Sequence, residues 1–332
     1  MHSKFNPYRN SAMKITMEPL VSIIIPTYQA AATVRETLDS VCRQTWTAIE
    51  VILVDDGSSD NTADVAEAYP DSRITVIRSE HVGACSARNI GIRKAKGAYL
   101  QFLDGDDTLD SRKIELQIKA LSGRNPGQAV AYGPWWEFSD KCPSPIFGFR
   151  AGRHFSEPME WLFSSMLEGF FVPPHCWLVP SSVVDAAGEW DVRLSQNQDG
   201  EFFARVLEQA SEVVWVLDAI SYYRGGNPSS ISKVKGRPYT KSLLLAANLI
   251  RDRMLDYAPA DSSRRKIVSA LYLRILYRID PSDQEMVELV WSEIRKLGLP
   301  PRSLSLGGAR FNLIKAILGW RLAFKAKSLI AR

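Results

Sequence analysis

Four times between residues 21 and 121 a short apolar run gives way to an amphipathic one, and that alternation restricts the chain to very few folds. Val21-Ser-Ile-Ile-Ile-Pro26, Glu50-Val-Ile-Leu-Val-Asp55, Ile74-Thr-Val-Ile77 and Ala98-Tyr-Leu-Gln-Phe-Leu103 are too short for helices and rich in β-branched or large apolar residues. Helical patterns follow them over residues 33–44, 62–68, 84–94 and 111–121; in the first, Val34, Leu38 and Val41 share one face. Apolar runs without polar alternation belong to strands covered on both faces. Strand–helix repetition of this kind therefore predicts βαβ units and a parallel α/β sheet.

Beyond residue 121 the pattern changes. Residues 130–138 read as a further strand, and 142–158, with their prolines and glycines, as a loop or lid. Residues 213–217 read as a strand and 220–224 as a strand end. From about Pro238 the chain turns helical, over 243–257, 264–279 and 282–297, punctuated by Pro281 and Pro300-Pro301. The expected organisation is a polar leader (1–19), an α/β domain (20–236) and a helical extension (237–332).

In an open α/β sheet, ligands bind beyond the carboxyl ends of the strands. Three strand ends here carry polar groups: Pro26-Thr-Tyr28, Asp55-Asp-Gly-Ser-Ser-Asp60 and Asp104-Gly-Asp-Asp107. Carboxylates so close together repel one another unless a cation or hydrogen-bond donors compensate them, and oxygen-only clusters suit Mg²⁺ or Mn²⁺. An acidic turn is the plainer reading of any one of them. No glycine fingerprint of a dinucleotide fold and no phosphate-binding P-loop is present, which argues against both; a nucleotide held through base and ribose by carboxylates, with a metal at its phosphates, is still compatible with the acidic rim.

Net charge is only +4, and no single-sign block argues for nucleic acid. Cys42, Cys85, Cys142 and Cys176 match no zinc or redox spacing, as expected of thiols in a reducing compartment. No apolar run is long enough to span a bilayer, and residues 1–18 lack the apolar stretch of a signal peptide, so a cytoplasmic protein is expected. Leu313, Ile317, Trp320 and Phe324 form a helical apolar face among basic residues over 310–327. That tail is expected either to dock on the body or to touch the inner face of the plasma membrane.

Five ordered blocks resemble the family 2 glycosyltransferases of the GT-A fold: Val21 to Tyr28, Thr37 to Thr45, Glu50 to Asp60, Gly83-Ala-Cys-Ser-Ala-Arg-Asn-Ile-Gly91 and Gly97 to Asp107. The resemblance covers roughly residues 20–232. It implies a GT-A fold with a mixed, mainly parallel sheet, a nucleotide-binding half (20–110) and an acceptor half (111–236). It also implies transfer of a sugar, with inversion, from a nucleotide-sugar donor, UDP-sugar favoured, to a hydroxyl of a glycan or glycolipid in polysaccharide or glycolipid synthesis. Pro26, Thr27 and Tyr28 would line the base pocket, and Asp55 and Asp56 would hold base and ribose. Arg88 would offset the diphosphate. Asp104-Gly105-Asp106 would be the Asp-x-Asp motif, with Asp106 and Asp104 holding Mn²⁺ or Mg²⁺ and Asp107 a third member.

Asp199, in Gln198-Asp199 where the family has Glu-Asp, would be the general base, its plainer reading being a helix cap; Glu201 is the weaker candidate and would more simply support it. His175, Trp177, Gln198 and Arg224 would lie on the acceptor side, His175 either touching donor phosphate or acceptor or serving as a satisfied structural histidine; Tyr222-Tyr-Arg224 and Ser229 to Ser232 would form a closing segment over the diphosphate, with Arg224 its cation. Trp135, Trp136, Phe138, Phe147, Phe149 and Phe155 are either an acceptor platform or core. Two other readings remain open, a sugar-nucleotide nucleotidyltransferase and a catalytically degenerate binding module.

Overall fold

The structure is a computed structural model that describes residues 18–330 apart from 126, 140–141, 150–151, 169, 171, 227–233, 235, 259–260, 281 and 299–307, and apart from the side chains of 142–149 and 327–330. Residues 1–17 of the leader, the Ser229–Ser232 segment, Pro281, Pro300-Pro301 and the side chains of Phe147 and Phe149 therefore lie outside the described residues.

The first half alternates as expected: β1 (Val21–Thr27), α1 (Val34–Cys42), β2 (Ile49–Asp55), α2 (Thr62–Glu67), β3 (Ile74–Arg78), α3 (Ala84–Lys94), β4 (Tyr99–Phe102), β5 (Thr108–Leu109) and α4 (Lys113–Leu121). Then come β6 (Ala129–Tyr132), β7 (Trp135–Ser139), β8 (Cys142–Phe149), α5 (Met159–Glu168), β9 (Trp177–Pro180), α6 (Ser181–Ala187), α7 (Gln198–Gln209), β10 (Glu212–Trp215) and β11 (Ser221–Arg224). Helices α8 (Arg237–Tyr257), α9 (Ser262–Arg278), α10 (Gln284–Leu297), α11 (Ala309–Leu318) and α12 (Trp320–Ile330) complete the chain.

The central sheet runs β10-β6-β9-β4-β1-β2-β3, and only β9 is antiparallel to its neighbours. Every residue of β1 is buried, which is why it carries no polar alternation. Gly91 lets α3 close onto β1, because a Cβ there would run into the Ile24 side chain.

Two expectations fail in the second half. Residues 130–138 are two strands in two sheets, since the chain changes direction at Gly133-Pro134, where a Cβ on Gly133 would strike the Ala219 carbonyl. Residues 142–149 are a strand rather than a lid. β8 pairs antiparallel with β7 at the end of a smaller sheet, β5-β11-β7-β8. Pro143 and Pro145 suit that edge position, because a residue without an N–H is tolerated where no neighbour needs it. The four-residue β9 is too short to show a period and was not expected.

Helices α8 to α10 add no separate core. Leu244, Ile250 and Met254 of α8 join the same buried cluster as Phe202, Trp177 and Tyr132. At its centre Trp177 stacks on Tyr132 at 5.1 Å and on Phe203 at 4.9 Å. Trp177→Ala is expected to cost about 3–5 kcal/mol, read by chemical denaturation; a loss below about 1 kcal/mol would show this stack to be dispensable.

Candidate active site

The ends of β1, β2 and β4 converge through their parallel pairing, and hydrogen bonds order the loops that leave them. The Asp55 carboxylate, at the end of β2, accepts from Ser58 N–H (3.1 Å) and Ser58 Oγ (2.6 Å). Asp56 accepts from the backbone N–H groups of Val82 (2.7 Å) and Gly83 (3.0 Å), which fixes the loop between β3 and α3. That loop brings His81, unremarked in the sequence, to 3.1 Å from Asp56 and stacks its ring on Tyr28, centroids 4.3 Å apart and planes 28° apart. Tyr28 is 50% exposed. It is therefore not core, and the pair presents an aromatic face on the rim of buried carboxylates.

At the end of β4, Gly105 is required by close approach, since a Cβ would lie 2.7 Å from Thr27 Cγ2. This seats the Asp104–Asp107 loop over β1. Arg88 from α3 is almost wholly buried; its Nη2 donates to Asp104 Oδ1 at 2.6 Å, and its guanidinium lies 4.5 Å from the centre of the Trp190 ring. Its described partner is thus a carboxylate of the rim. Asp106 differs: burial, with Asp107 and Asp104 alongside, pushes its carboxyl up to about 7. A carboxyl raised by burial and by neighbouring like charges is one that a cation would relieve. Mg²⁺ is commonly held by one or two carboxylates, with phosphate oxygens completing the shell, and Asp104 and Asp106 fit that role. Among the described residues no group of three or more His, Cys, Asp or Glu is placed to cage a metal, so a bound cation would need a ligand's oxygens as well.

Asp107 does not join them. It is buried in an ion pair with His175, Nδ1 to Oδ2 2.9 Å, and accepts from the Arg224 N–H at 2.7 Å. Burial pulls His175 down, but Asp107 outweighs it and holds the imidazole up at about 10. Arg224 also donates from Nε to Asp106 O at 2.9 Å, pairs with Glu36, and lies over the Phe138 ring at 4.5 Å. β11 is thereby fastened to the acidic loop.

Asp199 lies in the first turn of α7, after Asn197 in a left-handed conformation (φ 53°). One of its oxygens, Oδ1, is buried without a hydrogen-bond partner. Burial pushes its carboxyl up; Arg88 and His175 oppose this and Asp104 adds to it, leaving it at about 6. Its charge is thus felt together with those of Arg88 and Asp104.

Several expected acceptor-side residues do not face a ligand. His175 is fully buried and Trp177 1% exposed, so neither offers a surface; the first neutralises Asp107 and the second fills the core. Gln198 accepts from the Cys85 thiol at 2.9 Å. Glu201 is taken up by a two-pronged pair with Arg205, both bonds 2.8 Å, which ties α7 to the end of α6 through Ala187 O. Phe155 is core, while Trp135, Trp136 and Phe138 are half-buried on β7. Tyr223, within the expected closing segment, faces the same charges: burial and the four carboxylates Asp107, Asp104, Asp106 and Asp199 push it up to about 12.

Residues 22–144 match the family model described as glycosyl transferase family 2. The chain is similar to the glycosyltransferase EpsJ of Bacillus subtilis, 31% identical over 67% of this chain and 65% of the relative. A shorter stretch, 32% of this chain and 42% of the relative, is 40% identical to the UDP-Glc:alpha-D-GlcNAc-diphosphoundecaprenol beta-1,3-glucosyltransferase WfgD of Escherichia coli. The chain spans less than two thirds of the length of these relatives. Among solved structures, S. aureus TarS 1–349 in complex with UDP-GlcNAc superposes with a TM-score of 0.70 over 93% of this chain and 92% of that one, at 16% identity, a likeness of fold.

The buried ion pair carries a stability prediction. Removing one partner leaves an uncompensated buried charge, so His175→Gln is expected to cost about 3–5 kcal/mol near neutral pH. His175 binds its proton more tightly folded (about 10) than at its ordinary 6.5. Its contribution is therefore full below pH 6.5 and lost as pH rises through 10. Denaturation of wild type and variant at several pH values should show the gap between them narrowing on the alkaline side. A gap that widened would contradict the assignment.

Proposed function

The chain belongs to glycosyl transferase family 2, and from that premise we propose that it moves a glycosyl group from a nucleotide-sugar donor to a hydroxyl of a glycan or glycolipid, with inversion. The observation that carries the reading is Asp199. It is a carboxylate with one sealed, unpartnered oxygen, raised to about 6, and it shares a charge environment with Arg88 and Asp104 at the nucleotide rim. A base poised just below neutral is ionised at pH 7 yet still takes a proton well.

The donor's base stacks on Tyr28, beside Pro26 and Thr27, and Asp55 and Asp56 accept from base and ribose with the lone pairs their loops leave over. Asp104 and Asp106 are the residues that would hold a divalent cation, and Mg²⁺ or Mn²⁺ there would supply charge stabilisation for the leaving group. Arg88 holds Asp104 in place. The acceptor hydroxyl gives its proton to Asp199 as its oxygen bonds to the anomeric carbon. The anomeric C–O bond breaks on the opposite side, and its electron pair leaves with the nucleoside diphosphate. A single displacement of this kind inverts the anomeric centre.

A UDP-sugar is the favoured donor, in keeping with the UDP-GlcNAc complex of TarS and the UDP-Glc in the name of WfgD. The WfgD acceptor, a sugar on diphosphoundecaprenol, makes a lipid-linked acceptor the leading class here.

Asp199→Asn should bind UDP as wild type does and lose turnover by about 10²–10⁴-fold, the usual worth of a positioned general base. In the wild type, kcat/KM should fall with acid below pH about 6, where Asp199 becomes protonated. An Asn variant with more than about a tenth of wild-type turnover would remove Asp199 from the role. Tyr28→Ala should weaken UDP binding by about 1–3 kcal/mol, as loss of base stacking does. Unchanged affinity in a titration would place the base elsewhere.

A further inference from the structure

The sequence leaves two fates open for the C-terminal tail, and the structure divides its residues between them. Gly319 (φ 81°) separates α11 from α12, so the expected single face of Leu313, Ile317, Trp320 and Phe324 is split. Phe311 and Trp320 are buried. Phe311 meets Tyr277 of α9 edge-on at 5.4 Å, and Phe324 meets Trp291 of α10 at 5.9 Å, which holds both helices to the body.

The other side is left uncovered. Leu313, Ile317, Leu318 and Leu322 are 62%, 67%, 54% and 49% exposed. These are four of the twelve large apolar side chains that are exposed among the described residues, and they fall within ten positions. Single exposed leucines need no explanation, but a cluster of this kind does. Ala309 and Ala316 are exposed with them, as are Arg310, Arg321 and Lys325.

Charge identifies the partner. Residues 294–332 hold nine Lys or Arg and no Asp or Glu, whereas the other 293 residues hold 32 basic and 37 acidic. The mild net charge thus conceals an acidic body and a strongly basic end. We infer that the outer face of α11 and α12 docks on an anionic phospholipid bilayer, with the leucines and isoleucine in the acyl boundary and the basic side chains at the headgroups. Apolar burial and attraction to anionic lipid together are what bind such helices to an interface, and long cationic stems reach outward from it. No described helix is long and apolar enough to cross a membrane, so the contact lies in the interface plane. Nucleic acid would use the cations and leave the leucines in water. A second copy would set two basic ends against each other.

The inference stands on the tail and is tested without donor or acceptor, so it survives or fails independently of the transferase reading. The full chain is sedimented with vesicles of phosphatidylcholine alone or mixed with phosphatidylglycerol, at low and high salt. Wild type should pellet with the phosphatidylglycerol vesicles, less with phosphatidylcholine, and be released by salt. L313E/I317E, at exposed positions, should partition at least about tenfold more weakly while keeping the wild-type melting temperature, and R310E/K325E should lose the preference for anionic lipid. Equal pelleting with both lipids would overturn the inference. So would undiminished binding by L313E/I317E, or a vesicle-free dimer of wild type that L313E/I317E dissolves, which would assign the face to self-association.

Discussion

A single buried guanidinium makes the acidic rim tenable. Arg88, sunk beneath α3 with its face on Trp190, donates to Asp104, and its field also reaches Asp199. Carboxylates gathered at the mouth of a sheet are costly to desolvate, and an internal cation with an aromatic floor offsets part of that cost. Loss of Arg88 would take from Asp104 its ion-pair partner and from Asp199 the largest charge that opposes its rise. The Trp190 floor is itself held from both sides: its ring stacks on Phe202 of α7 at 4.1 Å, and its backbone is clasped by Asn89 of α3. The groups meant for donor and for acceptor are thus set relative to one another through one aromatic junction.

A second compensation lies deeper. Asp107 is neutralised by His175, and the backbone around His175 is fixed by amides: Gln101 donates to His175 O at 3.0 Å and Gln117 to Cys176 O at 2.9 Å. Lys113, fully buried and brought down to about 7 by desolvation, donates to Gln101 and to Trp177 O. This chain of polar contacts joins β4, α4, β9 and β11 beneath the acidic loop. The outcome is a division of labour among three neighbouring carboxylates. Asp107 is matched by His175, Asp104 gives one oxygen to Arg88, and Asp106 is left raised, where a cation would relieve it.

The first half of the fold was legible because each strand is a continuous apolar run ended by a polar turn, and each helix shows its period. The second half was not, for stated reasons. β9 has four residues, β8 carries two prolines that suit an edge strand and imitate a loop, and the change of sheet at Gly133-Pro134 hides inside one apolar run. The strand-end residues could be found by motif, and Tyr28, Asp55, Asp56, Arg88, Asp104 and Asp106 do gather on one rim. Burial could not be found that way: the sequence cannot show that His175 and Trp177 face inward, or that Glu201 is consumed by Arg205. His81 was invisible because its place depends on how Asp56 folds the loop between β3 and α3. Its one signal was position, a histidine after a strand end on the side already rich in carboxylates.

The central claim is that Asp104 and Asp106 form half of a cation site which a nucleoside diphosphate completes. Calorimetric titration of UDP into the protein with Mn²⁺ or Mg²⁺, and again in EDTA, tests it most directly, with Asp106→Asn alongside. Affinity should fall at least about tenfold on removing the metal, and Asp106→Asn should bind UDP no better with metal than without. UDP binding of equal strength in EDTA, or an Asp106→Asn variant that keeps its full response to metal, would contradict it.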